Sequence, residues 1–586
     1  MKTLSLSSPV HGSNDAPWWR LPERIGWRDQ WIGATLALAY VVWLLATARA
    51  VGFPRDESVY FRAAVSYVQW WRTLLRPGNA ALQQGAIDSA FGINHEHPAL
   101  MKTLFGLSWW LLHEKWPVFS DASTAFRLPG MASAGLAIWV TYLFGARAWS
   151  RRAGLVAAAL LGLMPHVFFH AHLACFDVPI TAMWILCVYV HWRAQERRGL
   201  GWAIAAGIVF GLALETKHNA WMLPAVVVPH ALFVHRHAFL RGLRAGRVVL
   251  PSSLVSMAIL GPIVFFALWP YLWSDTLGRL QGYVDFHLNH EYYNIEFLGK
   301  NYFGPPSPKT YLPVMVVATV PTVTLLLFLV GAIDRGSVGG RRLSTWLRAA
   351  IGRPPSSAGI APLQPPSNRD RRETDLLLAL SFAVAVGPFF LSTTPIFGGT
   401  KHWMPAYPVL ALFAGRGFDI VIAAMNRALP AFTGTRRLGA EVSLAACVIA
   451  PALAVTVHSH PFGLSAYVPL VGGTAGGADL GLNRQFWGYT TQNAATEYLN
   501  DRAPRGASVF LHDTTWDAWA QMQAEGRVRS DLRGVGAPSE ATFALVQHEL
   551  HMNEVDYDIW VTLGTDAPAY VVKHDGVPIV SIYRRP

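Results

Sequence analysis

The sequence predicts an α-helical polytopic membrane protein with helices lying along its outer surface and a small α/β domain at its C-terminus outside the membrane. Three observations predict this class. Of 586 residues, 52% are hydrophobic and only 14% charged, with a mean hydropathy of +0.28, a balance that suits a bilayer better than water. Apolar runs close to the roughly 20 residues needed to cross the hydrocarbon layer recur along the chain. Arg and Lys collect in every second connection between those runs, as they do where short loops stay on the cytoplasmic side.

The first apolar run, Trp31 to Thr47, carries no charge. Others extend over Leu128–Ala146, Gly154–Ala174, Val178–Trp192, Gly201–Leu214, Asn219–Val234, Val248–Trp273, Thr310–Ile333, Leu376–Thr394, Trp403–Met425 and Val442–Val457, so about 11 spans are expected. Arg147, Arg151 and Arg152 follow the second run, Arg193, Arg197 and Arg198 the fourth, and Arg236, Arg241, Arg244 and Arg247 the sixth. Arg335 to Arg372 and Arg427 to Arg437 continue the alternation. It accounts for most of the net charge of +12 and gives no reason to expect a nucleic-acid partner. The segment 1–30, with Arg20, Arg24 and Arg28, has no short apolar core with a cleavage site, so an uncleaved first helix and a cytoplasmic N-terminus in a plasma (inner) membrane are expected.

The transmembrane domain is expected over 31–457. Its first outer loop, 51–127, is too polar for bilayer core. Phe61, Ala64, Val65, Val68, Trp71 and Leu75 recur there at helical spacing with Arg62, Ser66, Gln69 and Arg76 opposite them, the pattern of an interfacial amphipathic helix. A second helix is expected from Pro98, a residue suited to a first helical position. At about 15 residues, and with Lys102 inside it, it is too short to cross. A crossing there would also reverse the side of every later basic loop.

The Pro-, Ser- and Arg-rich stretch 334–373 reads as a flexible cytoplasmic loop. From 458 to 586 the composition is that of a soluble domain. A helix is expected over Thr490–Arg502, strands over Ser508–Leu511 and Asp558–Leu563, and a hairpin joining Tyr570–His574 to Val577–Tyr583 through Asp575-Gly576. Cys175, Cys187 and Cys447 fall in or beside the apolar runs, so neither a disulfide nor a thiolate zinc site is indicated.

Candidate chemistry lies at the outer ends of the spans. Asp56 and Glu57 follow the first span and suit a general base; capping the helix behind them is the plainer alternative. Glu96 and His97, in Asn94-His95-Glu96-His97-Pro98, can ligate a metal or move a proton, or can be surface residues ahead of a helix-starting Pro. Asp177, with His170 and His172 before it, is an ionisable group at the membrane boundary or a cap for the fourth span. Lys217 lies outside, against the charge rule. His287 belongs to a loop with Asp285, His290, Glu291 and Lys300, and Lys401 opens the tenth span. Converging, these loops would make a basic rim suited to phosphate, beside the carboxylates of Asp56 and Asp177.

In order, Arg55-Asp56-Glu57, Glu96-His97-Pro98-Ala99-Leu100, Cys175-Phe176-Asp177-Val178-Pro179, Leu214-Glu215-Thr216-Lys217 and Lys401-His402-Trp403-Met404-Pro405-Ala406-Tyr407-Pro408 resemble the GT-C membrane glycosyltransferases. The likeness is to the group of protein O-mannosyltransferases and lipid A aminoarabinose transferases (PMT-like), and it covers about Trp31 to Val457. It implies about 11–13 transmembrane helices and transfer of a sugar from a polyprenyl-phosphate-linked donor to an extracytoplasmic protein, lipid or glycan. It implies Asp56 as the base of an inverting reaction, with Glu57 and Asp177 supporting orientation or, for Asp177, contacting the acceptor. It further implies Arg62, Lys102 and Lys217 around the departing phosphate, where the basic rim adds Lys401. Glu96, with His97 or His287, would hold a divalent cation.

Two readings from other classes compete. A multi-pass transporter of a small solute also places ionisable groups in spans, though it usually shows repeated halves and mid-bilayer charges. A non-catalytic assembly protein would bind through 458–586 and use Asp56 and Glu57 only as a cap.

Overall fold

The computed structural model describes residues 25–196, 200–350, 371–396, 398–486 and 493–586. Most of the segment 1–30, Arg197, Arg198 and the centre of the Pro-rich stretch lie outside them.

The chain opens with α1 (Trp27–Thr47), α2 (Arg55–Leu74), α3 (Gln84–Phe91) and α4 (Leu100–Trp109). Next come α5 (Ala122–Ala148), α6 (Arg151–Gly162), α7 (Pro165–Ala171), α8 (Asp177–Glu196) and α9 (Leu200–Leu214). Then follow α10 (Leu223–Val234), α11 (Arg236–Arg244), α12 (Ser252–Leu268), α13 (Thr276–Leu288) and a hairpin of β1 (Ile295–Phe297) and β2 (Lys300–Tyr302). The helical part ends with α14 (Tyr311–Thr319), α15 (Thr322–Ala350), α16 (Arg371–Val386), α17 (Tyr407–Ala428), α18 (Gly434–Ser459) and the short α19 (Gly473–Asp479).

Every expected apolar run falls on one of these helices or on a bent pair. Among the described residues, five helices are long and apolar enough to cross a membrane by themselves, and three pairs are so together across bends of 71°, 74° and 119°. The expected count is higher because α9 and α12 are short: 15 residues of α-helix reach only about 22 Å of a roughly 30 Å hydrocarbon layer. Helix α8 carries Asp177, Arg193 and Glu196, which dilute its apolar run. The membrane class stands on these helices. The stretch from 334 is not loop throughout, since α15 continues to Ala350 and α16 begins at Arg371.

Close helix crossings use glycine where a side chain would not fit. A Cβ on Gly331 of α15 would lie 1.9 Å from the Phe413 carbonyl oxygen, and one on Gly417 of α17 would lie 2.0 Å from that of Leu327. At the Arg-rich end of the bundle, basic residues meet carboxylates. Arg151 donates to Asp29 at 2.6 and 2.9 Å, and Arg152 to Asp419 at 2.8 Å and Glu441 at 3.1 Å. These pairs tie α6 to α1, α17 and α18.

At the opposite end, α2 buries Phe61, Ala64 and Val68. That face packs on α4, so tightly that a Cβ on Gly106 would stand 2.2 Å from the Ala64 carbonyl oxygen. Of the apolar stripe expected to rest on lipid, Phe61, Ala64 and Val68 are thus covered by protein, while Leu75 is 82% exposed. Pro98 precedes α4 by two positions, with Ala99 as N-cap.

The C-terminal residues form α20 (Asn493–Arg502), β3 (Ser508–Leu511), α21 (Trp516–Ala524), β4 (Arg533–Val535), β5 (Phe543–Gln547), α22 (Asn553–Leu563), β6 (Tyr570–His574) and β7 (Val577–Arg584). The sheet order is β4-β3-β5-β7-β6, with β3 parallel to β4 and β5 and the other pairs antiparallel. Asp575 and Gly576 turn the last hairpin at φ of 49° and 80°, as a tight turn with two left-handed residues requires. The strand expected over Asp558–Leu563 is instead the end of α22. Ile559 and Leu563, four apart, pack on Ala544, Val546 and Tyr583, and Gly564 ends the helix at a φ of 77°.

Candidate active site

Where α2, α8, α13 and the loops 94–97, 217–222, 388–395 and 401–402 meet, they enclose a cavity of about 630 Å³. Asp56, Glu96, His97, Asp177, Lys217, His287 and Lys401 all line it. These seven residues come from six separate stretches of sequence and share one volume at the sheet end of the bundle.

Asp56 sits in the first turn of α2, behind Pro54 as N-cap. Its side chain is 32% exposed, and the Arg55 Nε stands 3.6 Å from its Oδ1. Arg55 also reaches across to the C-terminal domain, where its Nη1 donates to Asp513 at 3.2 Å, and it lies over the ring of Tyr293 at 5.9 Å.

Asp177, the first residue of α8, also lines the cavity. Lys217 donates to its Oδ1 at 2.7 Å, and both side chains are nearly buried. Lys401 is buried within electrostatic reach of Asp177, Asp56 and Lys217. Its stem lies against Gly398, whose φ is 68° and where a Cβ would come within 2.5 Å of the Lys401 side chain. Only glycine accepts both that dihedral and that neighbour. The ring of Phe176 packs on Tyr60 at 4.5 Å and on His97 at 5.0 Å, which fixes the chain just ahead of Asp177.

Glu57 does not face the cavity. It is fully buried and takes two hydrogen bonds from Arg127, Nε to Oε1 at 2.8 Å and Nη2 to Oε2 at 2.6 Å, with a third from the Ala174 N–H at 2.8 Å. Arg127 also donates to the carbonyls of Val51 at 3.1 Å and Gly52 at 2.6 Å. A carboxylate so satisfied has no spare oxygen for substrate. It positions α2 instead.

Lys102 is likewise enclosed. Its ammonium donates to the backbone oxygens of His97, at 2.9 Å, and Asn94, and to the Asn94 side chain at 3.2 Å, so it holds the 94–97 loop and does not line the cavity. Burial pulls its pKa down to about 7 against the opposing pull of Glu96 and Glu215. Arg62 lies outside the cavity too: it is 58% exposed and pairs with Asp517 of α21 at 3.5 Å.

Glu96, His97 and His287 are neighbours without forming a ligand set. The Glu96 carboxylate accepts from the Asn94 amide, while His287 Nε2 is 3.0 Å from the Glu96 backbone oxygen. The rings of His97 and His287 are 5.7 Å apart. Among the described residues, ligand atoms gather within 4.8 Å of one another at two other places, Glu296 with Glu549 and His551, and His458 with His574 and Asp575. The cation-binding trio expected at Glu96 is therefore not assembled: the Glu96 carboxylate and the His287 ring are engaged elsewhere, while His97 Nδ1 is buried without a hydrogen-bond partner. Burial lowers His287 to about 4 and holds His97 well below the usual histidine range, so both are neutral at pH 7.

Arg127, Tyr60 and Tyr293 escaped the sequence reading. Arg127 carried a readable signal, an arginine at the lip of an apolar helix. The two tyrosines resemble any other aromatic residue near a membrane surface.

Residues 107–269 match the family described as dolichyl-phosphate-mannose-protein mannosyltransferase. The matched segment contains Asp177 and Lys217 but neither Asp56 nor Lys401. Over 162 residues the chain is 30% identical to undecaprenyl phosphate-alpha-4-amino-4-deoxy-L-arabinose arabinosyl transferase 1 of Pseudomonas fluorescens, covering 25% of this chain and 27% of that protein. The match thus spans about a quarter of that relative. Among solved structures, ArnT from Cupriavidus metallidurans bound to undecaprenyl phosphate overlays at a TM-score of 0.40 and 16% identity, covering 94% of this chain and 97% of that one. The Archaeoglobus fulgidus oligosaccharyltransferase complex with Zn and sulfate overlays at 0.43 and 10% identity, covering 92% and 70%. Overlays this partial place no residue, and substrates must be argued from the site itself. The family match is thus a likeness of the segment 107–269 to the dolichyl-phosphate-mannose-protein mannosyltransferases.

Proposed function

We propose that this protein transfers a sugar from a polyprenyl-phosphate-linked donor in the membrane to an acceptor hydroxyl on the outer side, with inversion at the anomeric carbon. The observation that carries the reading is the one cavity that Asp56, Asp177, Lys217 and Lys401 all line. Asp56 takes the acceptor proton as the oxygen attacks the anomeric carbon, and the bond from that carbon to the phosphate oxygen breaks. Charge then develops on the leaving phosphate, where lysines fixed in a largely enclosed site stabilise it more than water would. Lys217 and Lys401 serve there, while Asp177 holds Lys217 in place or meets the acceptor.

Glu57 and Lys102 act at one remove, the first by fixing the start of α2 and the second by holding the 94–97 loop. A divalent cation at Glu96 would require the Asn94 and His287 contacts to open, and no step here depends on it. The basic alternation supports a cytoplasmic Arg-rich end, with the cavity and the 458–586 domain facing outward from an inner membrane. Nothing in the comparisons favours a solute transporter.

The test is incubation of detergent-purified protein with radiolabelled polyprenyl-phosphate sugars and a membrane extract, wild type beside D56N. Label reaching an acceptor only with wild type supports the reading. Transfer that persists in D56N removes Asp56 as base, and no transfer or donor binding by folded wild type overturns the activity.

A further inference from the structure

Apart from the cavity, β1 and the turn after β5 bring three ionisable side chains together. Glu296, at the middle of β1, is fully buried; Glu549 and His551 are 7% and 18% exposed. His551 Nδ1 lies 3.0 Å from Glu296 Oε1 and 3.4 Å from Glu549 Oε2, and one ligand atom from each residue lies within 4.8 Å of the others. Bonds of about 2.0–2.2 Å to a tetrahedral centre put its ligand atoms about 3.3 Å apart. The observed separations approach that spacing.

The Arg55 guanidinium is within electrostatic reach of Glu549, but it already serves Asp513 and Asp56. The His551 backbone N–H donates to Glu296 Oε1 at 3.0 Å, but Glu296 Oε2 and Glu549 Oε1 are buried with no hydrogen-bond partner. Buried carboxylate oxygens left dry are costly unless a proton or a cation serves them. A single imidazole N–H cannot satisfy two carboxylates.

We infer that Glu296, Glu549 and His551 form a binding site for a divalent transition-metal cation of the zinc type. One imidazole nitrogen and two carboxylate oxygens are a donor set such ions accept, with room for water as a further ligand. The site clamps the β1–β2 hairpin to the C-terminal sheet. His290 and Tyr293, just ahead of β1, line the cavity. Gln547, two residues before Glu549, donates at 2.7 Å to Asp513, the partner of Arg55 beside Asp56. A bound ion therefore stiffens the cavity wall from outside without touching the reacting groups.

The experiment uses full-length protein in detergent, stripped with EDTA and titrated separately with Zn²⁺, Mg²⁺ and Ca²⁺. Bound metal is measured by mass spectrometry and stability by thermal unfolding. The expected result is one equivalent of zinc with a rise in Tm of several degrees, both lost in E549Q and both kept in E96Q. Zinc retained by monodisperse E549Q, lost in E96Q, or never bound by wild type overturns the site. If E549Q fails to fold, Co²⁺ titration of wild type decides. A visible d–d band of a nitrogen- and oxygen-ligated ion that persists in H287N supports the site, and no band, or a band lost in H287N, overturns it.

Discussion

Arg127 and Glu57 form a two-pronged ion pair in which neither side chain is exposed, closed by hydrogen bonds of 2.8 and 2.6 Å. The pair joins α5 to the first turn of α2, one residue from Asp56. Removing one partner leaves the other charged and dry, which costs about 3–5 kcal/mol. E57A and R127A should each lower the unfolding midpoint strongly, and the double variant should cost less than the sum. Fluorescence-detected thermal unfolding of all four forms measures this.

D56N should lower kcat for sugar transfer by roughly 10²–10⁴-fold, the range a positioned general base supplies, while donor affinity and Tm stay near wild type. Single-turnover assays with labelled donor, alongside binding, separate the two. A change confined to donor affinity would assign Asp56 to binding.

Two of the cations expected at the phosphate, placed differently by the structure, should behave differently. K217M should weaken donor binding by roughly 10–100-fold, the value of a charge-assisted hydrogen bond of about 1.5–3 kcal/mol. R62A should change neither donor binding nor rate, because an exposed pair with Asp517 contributes about 0–1 kcal/mol. Equilibrium binding of a polyprenyl phosphate compares them.

Acid should destabilise the fold through the cavity histidines. His287 is lowered to about 4 from an ordinary 6.5, and His97 is lowered as well. Above 6.5 neither state binds these protons and their contribution is flat. Between 6.5 and 4 the unfolded chain gains protons that the folded one refuses, so stability falls as pH falls, and below about 4 the loss from His287 is complete. Melting curves across pH 4–7 should be shallower in H287N than in wild type.

Much of this was legible from single residues and their spacing. The apolar runs marked the helices, the arginine alternation marked one end, and Asp575-Gly576 marked a hairpin whose two φ values are positive. Asp56, Asp177, Lys217 and Lys401 share a cavity as the ordered motifs led one to expect. What escaped depends on contacts remote in sequence. Arg62 points to Asp517 and Glu57 to Arg127, and neither choice is written in local pattern. Over Asp558–Leu563, a short apolar run fits strand or helix equally, and packing on β5 and β7 decided it.

Asp177 already occupies Lys217 before any ligand arrives. A phosphate entering the cavity has to share or displace that carboxylate, and on leaving it returns the ammonium to a waiting partner. The resting protein thus carries an internal competitor for any phosphate that enters, one that trades tightness of capture for ease of release. D177N should hold polyprenyl phosphate longer than wild type does, and turn over more slowly for that reason.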